Sequence, residues 1–163
     1  MIQRSLMIAF AALAGSPALA AAPPAARGPS MDLAVEAAQT AVAACKANGY
    51  TVAASVVDSA GVLKVLIAGD GAFKGAVESS TKKATTTIAF KEATASVAEK
   101  AKTDAALADK LKADPGLFAR AGAQPLLVGG ELIGAIGVGG APGGEKDDVC
   151  AMTAVEKIKA RLK

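Results

Sequence analysis

The chain has 163 residues, 52% of them hydrophobic, which is enough for one domain with one core. Its 18 basic and 15 acidic side chains nearly balance, and aromatic residues make up 3%. Dispersed lysines and few stacking rings argue against a nucleic-acid partner. Histidine is absent, which excludes Ser-His-Asp and Cys-His catalysis and histidine-based metal sites.

Met1–Ala20 carries Arg4, an apolar run from Leu6 to Gly15, and Ala18-Leu19-Ala20, the small-x-small pattern of a signal-peptidase site. The run is shorter than the roughly 20 apolar residues that span a bilayer. Residues 1–20 are therefore predicted to be a signal peptide, and the mature protein periplasmic or secreted, free of the membrane after cleavage. Residues 21–29, rich in alanine and proline, read as a disordered leader. A single domain is expected over 30–163.

Ser30 is a suitable N-cap, and Met31, Val35, Ala38, Val42 and Cys45 form an apolar stripe, so a first helix is predicted over 30–48, closed by Asn48-Gly49. Thr51–Val57 and Val62–Ala68 read as two strands joined by the turn chemistry of Asp58-Ser59-Ala60-Gly61. Both faces of these strands are small or apolar, which suits a sheet covered on both sides. A helix follows over about 75–93, with a narrow small-residue face of Ala76, Ser80, Ala84 and Ile88 that allows close backbone approach. Its threonines, Thr85, Thr86 and Thr87, either bond back to the preceding turn or form a polar ledge facing a pocket, the first being preferred. Thr103 is the expected cap of a short helix carrying Leu107 and Leu111, inside a charged surface stretch, Lys91–Lys112. Pro125–Val128 and Leu132–Val138 flank Gly129-Gly130, a strong signal for a second hairpin. A last helix, about 147–162, is expected to bury Ala151, Val155, Ile158 and Leu162. Two antiparallel hairpins with helices before, between and after them define an α+β domain.

The loop Gly137–Gly144 fits neither the dinucleotide fingerprint nor the Walker sequence, and Glu145, Asp147 and Asp148 would repel a phosphate there. A plain strand-to-helix turn is preferred, with the acids complementing the helix dipole rather than holding a cation. Cys45 and Cys150 are the two cysteines. Export and helices lying side by side would allow a Cys45–Cys150 disulfide, with free buried thiols as the alternative.

VVDSAGVL (Val56–Leu63), GDGA (Gly69–Ala72), KKATTTIAF (Lys82–Phe90) and the stretch Gln124–Ala151 together resemble the GlcG/HbpS-type haem-binding family, in order and across the mature chain. The resemblance implies a profilin-like α/β/α sandwich with an antiparallel sheet of about five strands. It also implies a homo-oligomer, often an octamer, and binding of haem or a related tetrapyrrole. The pocket it implies lies near the Lys82–Phe90 helix, with Lys83, Thr86, Thr87 and Phe90 as cofactor-binding candidates and Asp70 of the GDGA motif beside them. Lys83 would pair with a propionate and Phe90 would cover part of the macrocycle. No histidine is available for the iron. The usual Gly-Val-Ser-Gly of the family is Gly137-Val138-Gly139-Gly140 here. The expected function is that of a non-enzymatic, exported, oligomeric haem carrier, buffer or sensor accessory. The alternatives are an accessory oligomer binding a small organic metabolite, or a cofactor-free enzyme acting on such a metabolite or degrading haem itself, using Asp58, Asp70 and Lys83.

Overall fold

The computed structural model describes residues 26–163, so the predicted signal peptide and the first part of the leader lie outside the described residues. The elements run α1 (Met31–Ala47), β1 (Ala53–Asp58), β2 (Leu63–Ala68), α2 (Lys74–Phe90), α3 (Thr94–Ala101), α4 (Ala105–Ala113), β3 (Ala123–Val128), β4 (Glu131–Gly139) and α5 (Gly144–Ile158), with a closing 3-10 turn, Lys159–Arg161. The strands form one antiparallel sheet in the order β2-β1-β4-β3. Each hairpin contributes an edge strand and a central strand. The described sheet has four strands, one fewer than the family resemblance implies.

Ser30 caps α1, accepting a hydrogen bond from the Leu33 amide. Gly129 and Gly130 take φ values of 57° and 85°, the left-handed pair that a two-residue hairpin turn needs to match strand twist. One sheet face is covered by α1 and α5, whose alanines pack with Val52, Val56, Leu126, Ile136 and Val138. These two helices are joined by a disulfide between Cys45 and Cys150, with Cα atoms 5.6 Å apart.

The other face is covered by α2, which comes very close to β4. A Cβ added at Gly137 would lie 2.1 Å from the Ser80 carbonyl oxygen, and one at Gly139 would lie 2.1 Å from Ser79 Oγ. The helix backbone therefore rests on bare strand. Beneath it, Ser55 Oγ shares hydrogen bonds of 2.8 Å with Ser80 Oγ and 2.9 Å with Thr81 Oγ1.

Three local expectations need correction. Helix α2 ends at Phe90 because Lys91 itself adopts a left-handed conformation with φ 57°, so no glycine marks the stop. The charged stretch after it folds as two helices, and α4 is capped by Asp104, which accepts from the Leu107 amide at 3.0 Å, rather than by Thr103. Finally, Arg27–Pro29 is tied down, not a loose leader. Arg27 exchanges backbone and side-chain hydrogen bonds with Ser59 and pairs with Glu131, and Pro29 is buried.

Candidate functional site

Lys83 sits mid-way along α2 on its buried stripe, Ala76, Ser80, Lys83 and Thr87. Its side chain is 1% exposed. The ammonium donates to Asp147 Oδ2 at 2.6 Å and to the Val138 carbonyl at 2.9 Å. Asp147 is 3% exposed, and its second oxygen accepts from the Ala141 amide at 2.9 Å. One ion pair thus ties α2, the end of β4 and the first turn of α5 together. Burial pushes the Lys83 pKa down and the Asp147 pKa up, and each partner opposes the shift of the other.

Above this pair is a pocket of about 170 Å³. Lys83, Asp147, Ser79 and Arg120 supply its polar lining, and Phe73 and Phe118 flank it. The two rings are 61% and 38% exposed. Gly140 and Gly144 leave part of the wall as bare backbone. A larger groove of about 730 Å³ lies between the start of α1 and the C-terminus, but its polar residues are on the surface and no buried polar group converges on it.

The five cofactor-binding candidates are not gathered in one cavity. Lys83 lines the pocket. Thr86 is buried, donating to the Lys82 carbonyl at 2.8 Å and accepting from the Phe118 amide at 2.7 Å. Thr85 bonds back to the Thr81 carbonyl at 3.0 Å, so these two hydroxyls follow the preferred reading. Thr87 is buried with no partner for its hydroxyl among the described residues. Phe90 is half-buried, with the Lys110 ammonium 5.1 Å from its ring centre. Asp70 is exposed and lines a separate small cleft with Val42, Lys46 and Tyr50.

Nor does the fold assemble the enzyme set. Asp58 pairs with Gly134 while Lys83 bonds Val138, so they lie toward opposite ends of β4. The Asp58 carboxylate is engaged by the Ala60 and Val62 amides of its own turn.

Asp147 and Arg120 are the site residues that sequence reasoning missed. The expectation that Asp147 merely complements the α5 dipole needs correction, since it is a buried partner of Lys83. Helical spacing carries the signal: Asp147, Ala151, Ala154 and Ile158 form the buried stripe of α5. No comparable pattern marks Arg120, which precedes β3 in a loop.

An antiparallel sheet between two layers of helices, with one buried ion pair among the described residues beneath a small open pocket, defines an α+β sandwich. Residues 30–156 match the family described as haem degrading protein HbpS-like, and the chain belongs to that family. A double mutant of HbpS from Streptomyces reticuli is 34% identical, with a TM-score of 0.73, over 86% of this chain and 99% of that one. PduOC, solved as a haem complex, is 25% identical, with a TM-score of 0.72 over 79% of this chain and 94% of that one. ORFY of Klebsiella pneumoniae, 21% identical with a TM-score of 0.77, shares the fold over 90% of this chain and 100% of that one. No curated protein matches the chain.

Proposed function

We propose that the protein is an exported haem- or tetrapyrrole-binding member of this family, acting as a carrier or buffer and working as a homo-oligomer. The observation that carries the reading is the family match across the domain, joined to a fold shared with a protein solved in complex with haem. Export is supported by the cleavage pattern at Ala18–Ala20 and by the disulfide, which suits an oxidising compartment. Oligomerisation is supported by the two edge strands, β2 and β3, which expose Leu63 and Leu127.

The pocket fits one part of a haem. Phe73 and Phe118 offer ring contacts, and Arg120 and Lys83 offer donors to propionates. Its 170 Å³ falls below the roughly 300–1,000 Å³ of ordinary ligand sites, so it would take an edge of the macrocycle rather than the whole. The iron gains no histidine, and both thiols are in the disulfide. Bound haem would supply the redox and light-absorbing chemistry, while this chain would hold it by apolar contact and propionate pairing.

Titration of the mature protein with hemin tests the reading. A saturable Soret shift at micromolar protein is expected, and its absence would overturn it. The family description adds haem degradation. A Soret band that decays over hours would favour degradation over carriage. The small pocket favours one rival, an accessory oligomer that binds a small organic metabolite, and a hemin-silent protein would move the assignment there.

A further inference from the structure

We propose that the pocket above the Lys83–Asp147 pair is a carboxylate-binding site, with Lys83 and Arg120 as its donors and Phe73 and Phe118 as its apolar flanks. It deepens the haem reading without depending on it, because a haem propionate and a free small organic acid present the same group.

Four observations converge on this chemistry. First, an ammonium has three N–H donors, and Lys83 uses two of them, on Asp147 and Val138. The group is 1% exposed and lines the pocket, so an acceptor placed there meets a desolvated cation with a donor to spare. Second, Arg120 stands close enough for its charge to depress the pKa values of both Lys83 and Asp147. Among the described residues its guanidinium has no ion pair, whereas Arg27 and Arg161 both do. Asp147 balances one of these two positive charges and leaves the other for an incoming anion.

Third, the aspartates beside the pocket turn their carboxylate oxygens to donors of the protein. Asp147 is bound by Lys83 and the Ala141 amide. Asp148 accepts from the Gly122 amide at 3.1 Å and from Gln124 Nε2 at 2.9 Å. Fourth, the wall between β4 and α5 has no room for side chains. A Cβ at Gly140 would lie 2.7 Å from the Thr51 carbonyl oxygen, and one at Gly144 would lie 2.6 Å from that of Ala121. Gly144 also opens the 15-residue helix α5, whose positive end adds to the field of the two cations. A pocket of about 170 Å³ admits a short acid arm.

The test uses the disulfide-bonded mature protein and two probes. In the first arm, ¹⁵N-labelled protein is titrated with sodium propionate and, separately, with propionamide. The proposal expects saturable amide shifts at Gly140, Ala141 and Gly144 with propionate and none with the uncharged analogue. Arg120→Gln, an exposed change that should leave the rest of the spectrum in place, is expected to weaken propionate about tenfold or more. In the second arm, hemin is compared with hemin dimethyl ester. Preference for the free acid, lost in Arg120→Gln, supports a haem propionate as the source. Equal binding of hemin and ester, or no hemin binding at all, together with the propionate shifts, supports a free organic acid; in the latter case the haem reading falls and the carboxylate site stands. Shifts that propionamide reproduces, or the absence of pocket shifts together with equal hemin and ester binding, would overturn it.

Discussion

The sheet face under α1 and α5 buries a continuous apolar cluster of 16 residues, cross-linked by the Cys45–Cys150 disulfide. The face under α2 buries an apolar cluster of three, Val57, Ala84 and Ala135. Beside that cluster this face buries polar side chains, Ser55, Ser80, Thr86, Thr87 and Lys83, the last paired with Asp147 reaching over from α5. Burying an ion pair costs more desolvation than its attraction returns in many settings, and a hydrocarbon pair of the same volume is often as stable. The face under α1 and α5 therefore supplies most of the apolar burial, while the face under α2 holds Lys83 beneath a pocket.

Removal of the cross-link is the largest test of that division. A Cys45→Ala, Cys150→Ala double variant should lose about 4–5 kcal/mol in urea unfolding, as expected for a loop closed across 105 residues. While folded it should still show the propionate shifts; loss of binding from an intact fold would mean the two faces are not independent. Lys83→Met should cost about 3–5 kcal/mol by leaving Asp147 buried without its partner, whereas adding Asp147→Leu should restore most of it. A double variant as unstable as the single one would show that the pair itself stabilises the fold.

The same pair sets a pH signature. Asp147 has a raised pKa, so its share of stability is full below the ordinary carboxylate range and is lost as pH rises through the folded value. Lys83 has a lowered pKa, so its share is full above the ordinary lysine range and is lost as pH falls through the folded value. Urea unfolding across pH should therefore give a flatter profile for the Lys83→Met, Asp147→Leu protein than for the wild type. Gly137→Ala should cost about 1–3 kcal/mol, since the new methyl group meets the α2 backbone at Ser80. The smallest effect belongs to Ser55→Ala, about 1 kcal/mol, because Ser80 keeps its bond of 2.8 Å to the Val77 carbonyl. A cost near zero there would show that the hydroxyl network under α2 adds nothing to the packing.

Local signals made much of the architecture legible. Ser30, Asn48-Gly49, the Asp58–Gly61 turn and Gly129-Gly130 punctuate the chain where backbone geometry demands particular residues, and the structure turns at those places. Where the geometry is held by an ordinary residue, the sequence is silent. Lys91 at φ 57° ends α2 without a glycine, and Ala93 stands at the N-cap of α3 with no side chain to cap it.

What the sequence determined by itself was the α+β class, the two hairpins, the small-residue helix and the family, since each follows from spacing, turn chemistry or ordered motifs within the chain. The site was decided by tertiary structure. Lys83 and Asp147 are 64 residues apart, and no short-range pattern links them until α2 settles on the glycines of β4 and brings its buried stripe against the start of α5. That contact turns a lysine and a helix-start acid, each ordinary in solvent, into a desolvated pair beneath a pocket. Arg120 gains its meaning there too, because a loop cation becomes part of a site through the charges that folding places beside it.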